Sequence, residues 1–309
     1  MSVAATSSTI DAGRGAAGHL LRAISFGAPA VNIERRADGT IYLRPKTPLG
    51  DYPARITDRL HHWAGAEPGR VFMAERTASG GWREITYAEL LVASRHIASA
   101  LLARGLSAER PVVILSGNSI DHALLAFGAL YAGIAFCPVS PAYSLISKDY
   151  GKLGYVMGLL TPGLVFADDA DKFAGALAVN VPDGTEIVAS FGALPGRRVT
   201  MLADLMATPI DPRLDATHAA IGPDTIAKFL LTSGSTGNPK AVINTQRMLC
   251  ANQVMIRETM SFLKDEPPVI VDWLPWNHTF GGNHNIGLTL YNGGSMYLDE
   301  GKPMPGGIE

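Results

Sequence analysis

The sequence is short of cysteine, of aromatic side chains and of charge in either sign, and no hydrophobic run is long enough to cross a bilayer. Two cysteines, Cys137 and Cys250, occur in 309 residues. Two thiols make neither a disulfide framework nor a zinc spacing, so a reducing, cytoplasmic setting is expected. Both lie in apolar surroundings and read as small core residues, not nucleophiles. Charged residues make up 17% of the chain, with 26 Lys and Arg against 28 Asp and Glu and a formal net charge of −2. No basic field is available to hold a phosphodiester backbone, so no nucleic-acid partner is expected. The longest uncharged stretch, 123–139, falls just short of the roughly 18 residues of a membrane span, and Gly128, Gly133 and Pro138 interrupt it. It reads as a buried helix running into a buried strand; a soluble protein with no membrane partner is expected. Residues 1–18, rich in Ala, Ser and Gly, lack both the apolar core of a secretory signal and the basic face of a transit peptide. Residues 1–26 read as a disordered lead-in.

What is present is enough apolar material for a sizeable core, 47% of the chain, punctuated by 33 glycines and 20 prolines that mark many tight loops. The length points to about two domains or one large α/β domain. Segments 31–36 and 40–44 flank Asp38-Gly39, which predicts a hairpin with positive φ at both turn residues. A short helix is predicted at 57–64. Thr86 and Glu89 form a capping box, each able to satisfy the other's free backbone N–H. The helix it opens carries Leu90, Leu91, Ile97, Leu101 and Leu102 on one side and stops at Gly105. Strands are then predicted at 112–115, 134–137, 164–167, 186–189, 225–232, 269–274 and 295–298, with helices at 119–131, 153–160 and 245–260. Strands that are apolar throughout, alternating with helices, predict an α/β fold of layered, mostly parallel sheets flanked by helices. In such sheets ligands lie beyond the carboxyl ends of the strands.

One strand end stands out. Phe229-Leu230-Leu231 runs into Thr232-Ser233-Gly234-Ser235-Thr236-Gly237-Asn238-Pro239-Lys240. Gly234 and Gly237 let the backbone approach a ligand and bare its N–H groups. Hydroxyls at 232, 233, 235 and 236 add donors, and Lys240 supplies a mobile positive charge. Amides, hydroxyls and one ammonium suit a polyphosphate. A flexible Gly/Ser linker shares the composition but would not begin at the end of an apolar strand. This is not a Walker A loop either, because Ala241 follows the lysine where Ser or Thr is needed.

Segment 229–240 resembles the signature of the acyl-adenylate-forming (AMP-binding) superfamily, which holds acyl-CoA synthetases, luciferases and peptide-synthetase adenylation domains. Ala129-Leu130-Tyr131-Ala132-Gly133-Ile134-Ala135-Phe136-Cys137-Pro138-Val139 resembles the family's helix-to-strand segment. Trp273-Leu274-Pro275-Trp276-Asn277-His278-Thr279-Phe280-Gly281-Gly282 resembles its next motif, where a histidine follows Leu-Pro. The strings WLPWNHTFGGNHN, SGNSIDHALL, PVSPAYSLISKDYGKL and LDEGKPMPGGIE are similar to the feruloyl-CoA synthases within it. The resemblance runs over about 27–309 and implies the N-terminal part of an adenylation domain without its C-terminal domain.

It also implies a reaction. An aromatic carboxylic acid, a hydroxycinnamate with ferulate favoured, attacks the α-phosphorus of ATP, and CoA thiol then displaces AMP from the acyl-AMP. Mg²⁺ is implied as cofactor, with ATP and CoA as co-substrates. Thr232, Ser233, Gly234, Ser235, Thr236, Gly237 and Lys240 are implied at the phosphates, Thr236 at the metal, and Lys240 and His278 in catalysis. His278, Gly281, Gly282 and His284 are implied at the acid, the glycine pair leaving room for a flat ring. Taken alone, a histidine between Asn277 and Thr279 serves equally as a satisfied loop residue, and His284 equally as a core residue. Trp273 and Trp276 read as packing, and Asp168-Asp169 as a solvated turn. The family's later motifs do not occur, so the chain reads as incomplete and inactive alone. An unpaired strand edge and an uncovered apolar face are then expected near 269–298. An acyl acceptor other than CoA, or a non-catalytic nucleotide- or acyl-binding fragment, are the alternatives.

Overall fold

A computed structural model describes residues 9–10, 23–28, 30–232 and 237–299. Most of the expected lead-in lies outside them; within it, Thr9–Ile10 pairs antiparallel with Ile24–Ser25. A seven-stranded sheet runs in the order Thr200–Met201, Glu186–Phe191, Leu164–Asp169, Val112–Leu115, Phe136–Pro138, Ile226–Thr232, Lys240–Thr245. All its pairings are parallel except the last. A second sheet runs Val269–Asp272, Ser295–Leu298, Val71–Arg76, Trp82–Thr86, with only the final pair antiparallel.

The strand Val112–Leu115 is apolar at every position because both faces of its sheet are covered. Val112 and Ile114 point into a layer filled by the helices Tyr87–Leu102 and Ile120–Ala132, which also covers Phe72, Met73 and Met296 of the second sheet. Val113 and Leu115 point the other way, onto Leu153, Val156 and Leu177 of the helices Gly151–Leu160 and Ala174–Asn180. The two inner helices approach closely at Gly128, where a Cβ would stand 2.3 Å from Ile97 Cγ2. Two mostly parallel sheets therefore share a helical layer, as the apolar strands predict.

Local chemistry sets the helix ends. Glu89 N donates to Thr86 Oγ1 at 3.3 Å and Thr86 N to Glu89 Oε2 at 2.8 Å, so the predicted capping box is present. Ser119 caps Ile120–Ala132 by accepting from His122 N at 3.1 Å, and Gly133 ends it with φ +71°. Both cysteines are fully buried, and burial pushes their thiols up to about 12, which leaves them inert. Among the described residues no helix is long and apolar enough to cross a membrane.

Three expectations change. In the hairpin Val31–Arg35/Ile41–Pro45 only Gly39 takes positive φ; Asp38 instead accepts the Thr40 amide at 2.9 Å, giving a longer turn with one left-handed residue. The phosphate-loop strand is followed by an antiparallel edge strand, Lys240–Thr245, before the helix Gln246–Thr259 begins. Its mixed polarity hides it in the sequence, because an edge strand needs no apolar face of its own. Asp168 ends a strand half-buried, and burial raises its carboxyl above the usual range; it is not a solvated turn residue. Of the segment 269–298, Val269 and Val271 are exposed on the outermost strand of the second sheet among the described residues, whereas Ser295–Leu298 is paired on both sides with Met296 and Leu298 buried.

Candidate functional site

The carboxyl ends of both parallel sheets open on one cleft of about 600 Å³. Ser116 and Ser140 follow strands of the seven-stranded sheet there, while Glu75, Trp273 and Leu298 come from strand ends of the other. Parallel strands bring their carboxyl ends to one side, so the fold itself gathers these residues. Lys228 pairs with Phe136 in parallel register. Continuing that register sets Thr232, where the phosphate loop begins, level with Ser140 at the cleft.

The segment after Val269–Asp272 is held from two sides. Asn118 donates to Leu274 O at 2.9 Å and accepts from Trp276 N at 3.1 Å. The buried Asp272 carboxylate accepts from Trp276 Nε1 at 2.8 Å and from Asn285 Nδ2 at 2.6 Å. Between those contacts Phe280–Asn285 forms a π-helical turn, whose widened ladder alters the carbonyl pairings of an α-helix. Lys228 Nζ, from the strand, donates to Gly282 O at 2.6 Å, and Gln253 Nε2, from the helix, to Asn283 O at 3.2 Å. The turn is pegged at consecutive carbonyls by two different elements.

Two buried bases sit behind this segment. His122 Nδ1 lies 2.9 Å from Ser116 Oγ and its ring meets Trp276 edge-on at 5.1 Å. Desolvation lowers it to about 4, so the imidazole is neutral. Desolvation likewise lowers Lys228 to about 7. Neither residue was singled out in the sequence, although a lysine within Ala227-Lys228-Phe229-Leu230 interrupts an apolar strand and was the available signal.

Of the sequence-predicted residues, Thr232 and Lys240 are exposed at paired strand ends, and Gly237 has φ +89° with open space where a Cβ would stand. Ser233, Gly234, Ser235 and Thr236 lie outside the described residues. His278 is exposed and lines the cleft beside Trp273, which is half-exposed and so is not the packing residue expected, whereas Trp276 is buried. His284 is on another side: it stacks on Phe280 with ring centroids 4.6 Å apart and lines a separate groove of about 350 Å³ against Met248 and Asn252. The two histidines thus serve different cavities. Gly281 and Gly282 are buried, and Cβ atoms there would stand 2.5 Å from Leu274 O and 2.2 Å from Trp276 O, so on that side the close neighbour is backbone. Among the described residues no three His, Cys, Asp or Glu side chains converge as metal ligands would.

Known proteins are similar to this chain in sequence and fold. The AMP-binding enzyme family matches residues 60–306. The L-2-aminoadipate reductase large subunit of Eremothecium gossypii is 30% identical over 230 residues, covering 69% of this chain and 16% of that protein. The indoleacetate–CoA ligase of Aromatoleum aromaticum is 27% identical over 252 residues, covering 79% of this chain and 44% of that protein. The ATP-bound crystal structure of MatB from Rhodopseudomonas palustris superposes with a TM-score of 0.62 at 26% identity, covering 82% of this chain and 46% of that one. The chain spans less than half the length of each of these proteins. With the family matched over most of its length and the same α/β architecture, the chain belongs to the AMP-binding enzyme family.

Proposed function

We propose that this chain is the ATP- and acid-binding part of an enzyme that activates an aromatic carboxylic acid, a hydroxycinnamate with ferulate favoured, as its acyl-AMP and then hands the acyl group to CoA. What supports this reading is that His278 lines a cleft at the carboxyl ends of two mostly parallel sheets, the side toward which the strand ending at Thr232 also runs. The indoleacetate–CoA ligase relative, named for an aromatic acid, supports the substrate class. Residues 27–309 would then be the N-terminal part of the adenylation domain.

A carboxylate oxygen attacks the α-phosphorus, the bond to the β-phosphate oxygen breaks, and pyrophosphate leaves. An anion must approach a polyanion, so charge neutralisation and in-line positioning supply most of the rate. Lys240 and the hydroxyls of Thr232, Ser233, Ser235 and Thr236 would hold the β- and γ-phosphates, with Gly234 and Gly237 allowing the backbone to close on them. The Thr236 hydroxyl would be the protein oxygen on a phosphate-bound Mg²⁺, which would supply further charge neutralisation there. His278, exposed in the cleft, would lie beside the acid carboxylate. In the second step the thiol sulfur attacks the acyl carbon and AMP departs.

A panel of aromatic and fatty acids, assayed for pyrophosphate release with the complete enzyme, tests the reading, and preference for fatty acids overturns the aromatic class. Direct detection of the CoA thioester tests the acceptor; pyrophosphate release without thioester assigns it to a different nucleophile.

A further inference from the structure

In the hairpin Val31–Arg35/Ile41–Pro45 every residue but Tyr42 is exposed, so the body of the protein packs against neither of its faces. Directly opposed residues of an antiparallel pair share a face. The register sets Val31 opposite Pro45, Ile33 opposite Leu43 and Arg35 opposite Ile41. One face is therefore apolar from base to tip and ends on Arg35, with Ile33 59% and Leu43 63% exposed. The other face is polar and satisfied within itself. Glu34 accepts from Arg36 Nε and from Arg44 Nη1, each at 3.3 Å, and the Arg36 guanidinium lies 4.2 Å over the Tyr42 ring.

A lone two-stranded hairpin is at best marginally stable in water, and four aliphatic side chains left in solvent forgo the burial that would stabilise it. The apolar surface continues at the base of the hairpin. Val31 and Pro45 line a groove of about 440 Å³ together with Pro48, Leu49, Met255 and Glu258. Leu49 and Met255 are themselves exposed. Glu258 is paired through one oxygen, with Lys264 at 2.7 Å, whereas Arg35 makes no ion pair among the described residues.

We propose that a second copy of this chain covers this face, the two hairpins packing against each other about a twofold axis with the tip of each over the base groove of the other. An axis through the Ile33–Leu43 pair sets Ile41 of one copy over Val31 and Pro45 of the other, and Arg35 beside Glu258 at the groove. The patch has the self-complementarity that such a contact requires: an apolar ridge next to an apolar groove, a cation at one end and an anion at the other. A lipid surface does not fit, because the tip Arg36-Ala37-Asp38-Gly39 carries two charges and no large apolar side chain to insert. A ridge of four aliphatic residues and one groove belong to the small, transient class of interface, so a dissociation constant of about 1–100 μM is expected.

Sedimentation of the complete enzyme over roughly 1–200 μM tests this. A monomer–dimer equilibrium is expected. Ile33→Lys and Leu43→Glu are each expected to weaken it at least about 10-fold, since each sets like charges together at the axis, with circular dichroism unchanged because both side chains are exposed in the single chain. Arg35→Glu is expected to weaken it about 3- to 10-fold, and Arg35→Glu with Glu258→Arg to restore it, which a different partner for this face would not reproduce. A monomer throughout the range overturns the proposal, as does a dimer that Ile33→Lys and Leu43→Glu leave unchanged. Flotation of a monomer with anionic vesicles, lost in Leu43→Glu, overturns it in favour of a lipid surface.

Discussion

Thr232 and Lys240 stand directly opposite each other in an antiparallel strand pair. The chain on either side of the connection between them is thus fixed to a sheet edge. The lysine is therefore not carried on a free loop, as the sequence suggests, but presented at a set height beside the strand end. Lys240→Ala in the complete enzyme is expected to lower ATP–pyrophosphate exchange roughly 100-fold, the scale of losing one preorganised charge. Its thermal midpoint should stay where it was, because the side chain is exposed. A parallel loss of circular dichroism and activity would make the residue structural.

Glycine substitutions separate close approach from backbone freedom. A methyl group at Gly282 would stand 2.2 Å from Trp276 O, and the backbone must move to admit it. Gly282→Ala is expected to destabilise the protein by about 1–3 kcal/mol in urea titration. Gly158, exposed within Gly151–Leu160, meets nothing within 4 Å, and Gly158→Ala should stabilise by about 0.5–1 kcal/mol. Equal effects at the two sites would contradict the packing described around the π-turn.

Asp272 is the buried acceptor for Trp276 Nε1 and Asn285 Nδ2. Asp272→Asn turns one of those contacts into donor against donor, and a loss of about 1–3 kcal/mol is expected. Exchanging the pair, Asp272→Asn with Asn285→Asp, restores one acceptor for each donor. The double variant should recover most of the loss, which a double-mutant cycle measures directly.

Stability should also depend on acidity. Burial holds His122 and His218 at about 4 in the folded chain, against an ordinary 6.5. Between those values the unfolded state binds more protons, so their contribution is complete above about 6.5 and is lost as the pH falls toward 4. Asp168, whose carboxyl is raised by burial, acts in the opposite sense over its own lower range. Urea midpoints are expected to fall from pH 6.5 to 4.5, and His218→Phe should flatten that slope by roughly half. An unchanged slope would mean that this histidine is charged in the fold.

What the sequence made legible was local or periodic. Thr86 with Glu89 announces a helix start because capping satisfies groups a few residues away. Val112–Leu115 announces a doubly covered strand because every position is apolar. The Lys240–Thr245 strand stayed hidden because its pairing is with a neighbour across a loop and its own face is half polar. The same holds at the site. Gly281 and Gly282 mark a close approach, and only the fold shows that the carbonyls of Leu274 and Trp276 come within 2.5 Å and 2.2 Å of where their Cβ atoms would stand. His278 and His284 are near in sequence yet line different cavities, since His278 precedes the π-turn and His284 lies within it.

The second sheet also imposes an order in time. Its inner pairing joins Met296 to Met73, more than two hundred residues apart, whereas Val71–Arg76 and Trp82–Thr86 can meet as soon as they are made. At roughly 5–20 residues per second of synthesis, that first hairpin waits on the order of 10–40 s for its other neighbour. Throughout that wait Phe72 and Met73, fully buried in the finished molecule, have no cover from the strand Ser295–Leu298. The half of the cleft formed by Glu75 is therefore completed only once that distant strand is made.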